Sequence, residues 1–279
     1  MAVLFINLAS GGGTAARVGL REKAGALGIR CVVLEPGRDL AALVRDAIAG
    51  GADAVGMAGG DGSMAIVAAA ASHQDLPFVC VPAGTRNHFA RDLGIAPNDP
   101  VGALAAFTDG VERRIDLGEV NGHAFVNNVC LGFYGDAVQH PEYRRAKGRV
   151  LLEAAHEVWG PRAAAPPLRI VDDRGHEHTD PAMVLVSNNP YAPERPPTGR
   201  GRPRLDTGHL GVVVLGGRKA PPHRAAHAWT ASSLDIEAAT ALHVGRDGEA
   251  ETLDPPLRFV SRPRALRVRI AQTERHEAS

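Results

Sequence analysis

The chain has 279 residues, 44% of them hydrophobic, which is enough to bury one large core or two modest ones. Its 31 lysines and arginines balance its 31 aspartates and glutamates, so bulk charge argues against a nucleic-acid partner. Three widely spaced cysteines argue against a disulfide framework or a zinc site and favour a reducing cytoplasm. The apolar run at the N-terminus is too short to span a membrane and lacks a basic leader.

Candidate strands and helices alternate along the first part of the chain. Strands are expected at 2–8, 29–34, 54–57 and 78–81, and helices at 14–27, 39–49, 63–72, 87–93 and 100–107. Such alternation implies a parallel sheet covered by helices, because parallel neighbours need a crossover connection. Residues 1–112 are therefore expected to form a doubly wound α/β domain.

Polar or glycine-rich turns follow three of these strands. The first runs from Asn7 through Ser10 and Gly11 to Thr14, and the second is Gly59-Gly60-Asp61-Gly62-Ser63. The third begins at Pro82 and contains Gly84, Thr85 and Asn87, with Asn87 placed to cap the next helix. Glycine allows a close approach of the backbone to a ligand, and amides at a helix start attract anions.

Each turn has a structural explanation when taken alone: Ser63 as a helix cap, Asn7 as a turn residue and Thr85 as a strand-end hydroxyl. Three such turns at one edge of one sheet instead indicate a nucleotide site. Asp61 would repel a bare phosphate, but it suits a phosphate that carries Mg²⁺ or a hydroxyl that must lose a proton.

The pattern changes after residue 112. Asn121-Gly122 lies between two alternating segments and predicts a hairpin, and Asp173-Arg174-Gly175 marks another turn. Further strands are expected at 168–171, 176–187, 210–215, 239–244 and 257–260. Residues 113–279 are therefore expected to form an antiparallel, β-sandwich-like domain with insertions at 140–165 and 190–204. The last apolar strand, Leu266 to Ile270, is expected to pack back on the first domain.

Together these motifs resemble the diacylglycerol kinase catalytic-domain family, which includes bacterial lipid kinases and sphingosine and ceramide kinases. Asn7…Ser10-Gly11 is similar to its Asn-Pro-x-Ser-Gly segment, and residues 59–63 are similar to its Gly-Gly-Asp-Gly-Thr loop. Residues 82–94 resemble its Pro-x-Gly-Thr-Gly-Asn-Asp-Phe-Ala-Arg segment, and residues 247–249 its Asp-Gly-Glu. The chain departs from the family pattern in places: Leu8 replaces a proline, Arg86 a glycine and His88 an acid.

The resemblance implies an ATP-dependent lipid kinase that uses Mg²⁺ and phosphorylates the hydroxyl of a diacylglycerol-like lipid. It implies that Glu249 is the base, that Asp61 engages the Mg-nucleotide or the hydroxyl, and that Asp247 is a supporting carboxylate. Asp61 as the base is the rival assignment. The implied nucleotide-binding residues are Asn7, Ser10, Gly11, Gly59, Gly60, Asp61, Gly62, Ser63, Gly84, Thr85 and Asn87.

Some bacterial members of this family hold a structural Mg²⁺ with an acid directly before a glycine. Thr207 stands at that position here, and Asp206 precedes it. Asp206 is the candidate ligand, but a shift of one residue on a strand turns the side chain to the other face. The offset therefore argues against this metal site.

Two basic segments stand out in a chain of zero net charge. One contains Arg144, Arg145, Lys147 and Arg149, and the other is the proline-rich loop with arginines at 195, 200, 202 and 204. The loop is interpreted as a solvated surface, and the alternative is a basic rim that meets anionic lipid headgroups. A lipid substrate would require peripheral contact with the membrane from the cytoplasm.

Two other functions remain open from the residues. NAD kinase shares the Gly-Gly-Asp-Gly loop but takes a soluble acceptor, and residues 82–94 argue against it. A nucleotide-binding regulatory module without turnover would tolerate Arg86, His88 and Thr207, whereas the presence of Asp61 and Glu249 argues against it. The sequence identifies neither the acceptor lipid nor the oligomeric state, for which a homodimer stays open.

Overall fold

The computed structural model describes residues 1–132, 168–179, 181–192, 201–216 and 226–272. Contacts divide the chain into two compact units. The first comprises Met1–Ile115 and Arg264–Ser279, and the second comprises Asp116–Pro263. The expected boundary followed residue 112, and the observed division falls after Ile115.

The first unit is built on a parallel sheet. Its strands are β1 (Val3–Ile6), β2 (Arg30–Val33), β3 (Val55–Gly59) and β4 (Phe78–Pro82), in the order β2-β1-β3-β4. Val3 aligns with Arg30 on one side and with Val55 on the other. All residues of β1, β3 and β4 are buried, as parallel strands covered on both faces require. The predicted doubly wound domain is confirmed.

Five α-helices connect the strands of this unit: α1 (Thr14–Arg17), α2 (Leu20–Ala26), α3 (Leu40–Ala49), α4 (Asp61–His73) and α5 (His88–Asp92). The single helix expected at 14–27 is two helices, because Gly19 between them has φ of 60°. Asp39 begins α3 by accepting a hydrogen bond from the amide of Ala42. The helix expected at 100–107 is a 3₁₀ helix over Gly102–Phe107.

One long strand, β16 (Leu257–Ala271), has residues in both units. Its later part pairs with β4 in parallel, with Val268 opposite Phe78. In the first unit its Arg267 and Arg269 form ion pairs with Glu112 on β5 (Gly110–Val120). These contacts place the C-terminal strand residues in the first unit's sheet.

The second unit is made of antiparallel strands in two sheets. Its further strands are β6 His123–Phe125, β7 Asn128–Gly132, β8 Arg169–Asp172, β9 Glu177–Thr179, β10 Pro181–Asn188, β11 Leu210–Gly216, β12 Ala226–Ala231, β13 Ser233–Glu237, β14 Leu242–Arg246 and β15 Glu249–Leu253. One sheet contains β12-β11-β10-β7-β14-β15 in that order, and the other contains the early part of β16 with β13, β8 and β9. The later part of β5 pairs with β6 in a hairpin that completes this unit.

A shared apolar core makes this second unit a sandwich. Its buried members come from both sheets and include Val129, Val186, Ile236 and Phe259. The rings of Phe125 and Phe259 meet edge to face with centroids 6.3 Å apart. The expected β-sandwich-like domain is confirmed.

The hairpin predicted at Asn121-Gly122 is confirmed, since both residues have positive φ, 47° and 82°, as a type I′ turn requires.

The strand expected at 176–187 is instead two strands, β9 and β10, which belong to different sheets. The alternation of apolar and polar residues could not show where the chain passes from one sheet to the other, because only one residue separates the two strands. The strands β12 and β13 were not expected.

The described residues contain no helix that is long and apolar enough to cross a membrane. Cys31, Cys80 and Cys130 form no disulfide bond in the part of the chain that the structure describes. The basic segment at 144–149 and the insertion at 140–165 lie outside the described residues, as does the part of the proline-rich loop from 193 to 200.

Candidate functional site

The first unit has a point where the winding of its sheet reverses. The chain goes from β1 to its neighbour β2 on one side, whereas β3 lies on the other side of β1 and leads on to β4. Open α/β sheets bind ligands beside the carboxyl ends of strands at such a point, because the loops leave in opposite directions and open a crevice. The three turns singled out in the sequence all begin at these strand ends.

The three turns contact one another through their glycines. A Cβ on Gly11 would lie 2.5 Å from the carbonyl oxygen of Ala83, and one on Gly84 would lie 2.7 Å from the Cα of Gly60. A Cβ on Gly59 would come within 3.7 Å of the Cβ of Asn7. The structure thus brings together the turns at 7–14, 59–63 and 82–87. Their role in nucleotide binding stays a prediction.

The first turn depends on left-handed backbone conformation at consecutive positions. Gly11, Gly12 and Gly13 have φ of 58°, 66° and 85°. Side chains rarely adopt such conformations, so the run of glycines is required by the turn itself. The Thr14 hydroxyl donates to the Gly11 carbonyl, and Arg17 donates to the Gly12 carbonyl, so two side chains hold the turn.

Asn7 also acts within its own turn. Its Oδ1 accepts a hydrogen bond of 3.0 Å from the amide of Ala9. This bond turns the chain sharply after β1, as asparagine side chains often do. One of the two polar groups that Asn7 would offer to a nucleotide is therefore engaged in the turn.

Asn87 does not cap α5 as expected. Its backbone is left-handed, with φ of 51°, and its side chain makes no capping hydrogen bond. Instead Oδ1 accepts from the Gly84 amide and Nδ2 donates to the Pro97 carbonyl, each at 2.9 Å. Sequence alone could not decide this, because a capping asparagine and a loop-closing asparagine look the same. Asn87 ties the 84–87 loop to the segment after α5.

Asp61 supplies the missing cap from another turn. Its two carboxylate oxygens accept from the amides of His88 and Phe89, at 3.3 and 3.4 Å. Asp61 is itself the first residue of α4, so one carboxylate joins the starts of two helices. An acid in this position is stabilised by the positive ends of both helices.

The negative charge of Asp61 affects the pKa values of two neighbouring groups, the Cys80 thiol and the His88 imidazole. Burial raises the pKa of the Cys80 thiol well above its usual value, and Asp61 raises it further, so Cys80 is an inert thiol. Desolvation lowers the pKa of His88, and the nearby Arg86 and Arg91 lower it more, while Asp61 opposes this shift. His88 is therefore mostly neutral at physiological pH.

Two hydroxyls in the turns are available to a ligand. Ser63 is half-buried and Thr85 is exposed, and neither hydroxyl forms a hydrogen bond with the residues that the structure describes. Hydroxyls at such turns are suited to phosphate oxygens or to the waters of a bound magnesium ion.

In the second unit, Asp247 is engaged by the backbone of another segment. One oxygen accepts from the amide of Val126 at 2.8 Å, and the other accepts from Asn127 and Asn128 at 2.8 and 3.1 Å. The Asp247 amide also donates to the Asn128 carbonyl. This buried carboxylate anchors the 126–128 segment, and its supporting role in catalysis stays a prediction.

The hairpin between β14 and β15 explains why Asp247 and Gly248 occur in the segment Asp247-Gly248-Glu249. Asp247 and Gly248 have φ of 49° and 84° and form the two-residue link between β14 and β15. Both residues are thus required by the hairpin. Glu249, the first residue of β15, is exposed and has no such explanation. Arg246, opposite Glu249, is held by Glu251 and by the Ala124 carbonyl.

The residues around Asp206 do not fit a structural magnesium ion. Asp206 is exposed and pairs with Arg204 at 3.0 Å. The hydroxyl of Thr207, at the position of the family's acid, donates to Oδ1 of Asn189 at 2.6 Å. The described residues also include no group of three or more His, Cys, Asp and Glu side chains that could hold a metal.

Arg202 overturns one expectation about the proline-rich loop. It was expected among exposed arginines, but its side chain is only 3% exposed. Its guanidinium donates to the carbonyls of Val126 and Asn188 and to Oδ1 of Asn127. Arg202 is therefore a structural residue that cannot contact a membrane. The sequence does not indicate that Arg202 is buried, because the residues around it in the loop are polar.

A buried polar cluster in the second unit was missed in the sequence. Asn188 donates to the carbonyls of Asp116 and Val126, and Asp116 accepts from the Gly208 amide at 2.6 Å. The sequence feature that indicates this cluster is the run of polar residues Ser187-Asn188-Asn189 at the end of an apolar strand. Buried polar groups of this kind are costly unless hydrogen-bonded, so their bonds fix the local structure.

Known proteins are similar to this chain over most of its length. Residues 1–120 match the family model of the diacylglycerol kinase catalytic domain. A probable lipid kinase YegS-like protein of Pseudomonas aeruginosa is 32% identical, over 90% of this chain and 86% of that protein. Another, of Pseudomonas fluorescens, is 31% identical, over 84% and 83%. The crystal structure of a putative diacylglycerol kinase from Bacillus anthracis str. Sterne has the same fold, with a TM-score of 0.72 over 97% of both chains at 18% identity.

The similarity to the two Pseudomonas proteins covers both units of the chain, and the family model covers the segments that form the three turns. Fold, motifs and relatives therefore agree. The chain belongs to the diacylglycerol kinase catalytic-domain family.

Proposed function

We propose that this protein is an ATP-dependent lipid kinase that transfers the γ-phosphoryl group to the hydroxyl of a diacylglycerol-like lipid. The observation that carries the proposal is the contact of three glycine-rich turns at the carboxyl ends of β1, β3 and β4. Phosphoryl transfer needs little covalent chemistry from a protein, but it needs a close cradle for phosphates. The turns offer backbone amides and two hydroxyls for this purpose.

The nucleotide side is assigned to the first unit. The turns around Gly11, Gly60 and Gly84 would bind the phosphates, with the hydroxyls of Ser63 and Thr85 beside them. Asp61 would engage the magnesium of MgATP, which neutralises the charge that develops on the phosphates. Because the Asp61 carboxylate also accepts from two amides of α5, it holds the 82–87 turn in place at the same time.

The acceptor side is assigned to Glu249. This carboxylate is exposed at the start of β15, so it is accessible to a proton donor. It would take the proton of the attacking hydroxyl, and Asp247 would hold the turn that carries it. The rival assignment places the base at Asp61.

A lipid acceptor would bring the protein to a membrane surface, in peripheral contact from the cytoplasm. Arg202 is excluded from this contact by its burial. Arg144, Arg145, Lys147 and Arg149 remain the proposed contacts, together with Arg195, Arg200 and Arg204 of the proline-rich loop. Each could contribute about 1 kcal/mol to the binding free energy near an anionic surface. Equal co-sedimentation with neutral and phosphatidylglycerol-rich vesicles at low salt would contradict this part of the proposal.

The deciding experiment is a panel of acceptors with radiolabelled ATP and magnesium. The panel contains diacylglycerol, ceramide, sphingosine, NAD and a blank without acceptor. We expect label in phosphatidic acid from diacylglycerol. Label in NADP alone would instead identify a kinase for a soluble dinucleotide. ATP binding without any labelled product would favour a regulatory nucleotide-binding module.

A further inference from the structure

Arg86 lies in a loop that is held firmly on both sides. Gly84 packs against Gly60 and donates its amide to Asn87, which in turn donates to the Pro97 carbonyl. The Arg86 side chain is half-buried, yet it forms no hydrogen bond or ion pair with the residues that the structure describes. A cation is thus held in an ordered loop without a protein acceptor among them.

None of the described carboxylates forms an ion pair with Arg86. Arg86 and Arg91 are close enough to His88 to lower its pKa, whereas Asp61 and Asp92 oppose this shift. Asp61 is the nearby acid on the other turn, and its two oxygens accept hydrogen bonds from backbone amides. Keeping a guanidinium partly out of water is costly unless an anion pairs with it. These observations indicate that an anionic ligand completes the site.

We infer that Arg86 binds the terminal phosphates of the nucleotide, and this inference rests on the proposed function. The loop follows β4 and touches the turn after β3, so Arg86 belongs to the segments that would form the phosphate cradle. A guanidinium presents several donors in a planar fork that matches two phosphate oxygens. The family pattern has a glycine at this position, and a glycine has no side chain to offer to a phosphate. Arg86 therefore gives this chain a charged phosphate ligand that the pattern lacks.

The test compares nucleotide affinities of four proteins: wild type, Arg86→Gln, Arg86→Lys and Arg30→Gln. Arg30 is a matched control, because it is exposed at the opposite end of the sheet, where β2 begins. Dissociation constants for MgATP, MgADP and AMP are measured by calorimetry. For Arg86→Gln we expect ATP to bind about 10 to 100 times more weakly, the scale of a lost charge-assisted hydrogen bond or pair of bonds. AMP affinity should change less than about twofold, Arg86→Lys should be intermediate, and Arg30→Gln should resemble wild type.

Unchanged ATP affinity in Arg86→Gln, in a wild-type protein that binds ATP, would overturn this inference and leave the proposed function standing. An equal loss for ATP and AMP would also overturn it, since Arg86 would then not act on the terminal phosphates. So would a raised KM for the lipid with ATP affinity unchanged. Wild-type protein that binds no nucleotide would overturn the proposed function and the inference together. Denaturation midpoints of each variant show that the variants are folded.

Discussion

The two units of this protein hold their key segments in place by different means. In the first, three turns that each contain glycine approach each other through the backbone, with Gly84 against Gly60 and Gly11 against Ala83. In the second, buried side chains fix the chain: Asp247 accepts from three amides, and Arg202 donates to carbonyls. The first arrangement leaves the hydroxyls of Ser63 and Thr85 without a hydrogen bond to the described residues. In the second, the side chains of Asp247 and Arg202 bond to backbone groups of the protein.

This difference teaches which substitutions should separate function from stability. A change in the first unit can remove ligand contacts without removing protein contacts. A change in the buried network of the second unit should unfold the local structure before it reveals any chemistry. Four predictions test the contrast, starting with the largest effect.

Glu249 should behave as a functional residue within the second unit. For Glu249→Gln we expect phosphoryl transfer to fall by about two to four orders of magnitude, the scale of a lost general base. Stability should change little, because Glu249 is an exposed residue at the edge of a hairpin. Single-turnover assays and calorimetric ATP binding measure the two effects. ATP affinity should be retained.

The matched variant for this prediction is Asp61→Asn. It is also expected to reduce transfer by about two to four orders of magnitude, but through the Mg-nucleotide. Full activity of Glu249→Gln together with an inactive Asp61→Asn would move the base to Asp61.

Asp247 should behave as a structural residue. Asp247→Ala would leave three backbone amides without their acceptor, and we expect a loss of about 3 to 5 kcal/mol in unfolding free energy. Asp247→Asn tolerates the left-handed backbone and keeps one acceptor oxygen, so its loss should be smaller. Urea denaturation measures both variants. A stable but inactive Asp247→Ala protein would instead indicate a direct role in catalysis.

Two glycines of the nucleotide turns should respond differently to alanine. A Cβ on Gly60 would meet no atom of the described residues within 4 Å, and the Gly60 φ of −88° suits any residue, so Gly60→Ala should keep its stability. ATP should bind at least about tenfold more weakly, because the Cβ would occupy the space of the phosphate. Gly84→Ala should lose both ATP affinity and about 1 to 3 kcal/mol of stability, since its Cβ clashes with Gly60.

Calorimetry and urea denaturation distinguish these two alanine variants. Gly25→Ala is the matched control, because a Cβ there would also meet none of the atoms that the structure describes within 4 Å. Normal ATP binding by Gly60→Ala would argue that phosphates do not approach this turn.

His88 should give the smallest effect. Its pKa is lowered in the folded protein by desolvation and by its arginine neighbours, so the unfolded chain binds the proton more readily. Stability should therefore fall as pH drops below about 6.5, the ordinary pKa of histidine. His88→Gln should lessen the difference between denaturation midpoints at pH 7.5 and pH 5.5. An identical pH dependence in both proteins would contradict the shift.

The sequence by itself determined the elements whose signals are local. The run Gly11-Gly12-Gly13 and the pair Asn121-Gly122 have the left-handed backbone that such residues favour, and both lie where turns were expected. The alternation of apolar strands and helices up to residue 112 correctly predicted a parallel sheet, because burial on both faces leaves a clear pattern.

Only the tertiary structure decided which polar side chains act within the protein. Asn87 closes its own loop, Asp61 caps a helix that begins 27 residues away, and Arg202 is buried among carbonyls of distant segments. The physical reason is that a hydrogen bond depends on which atoms meet in three dimensions. Asparagine, aspartate and arginine have the same donors and acceptors wherever they lie, so their partners follow from the fold and not from the local pattern.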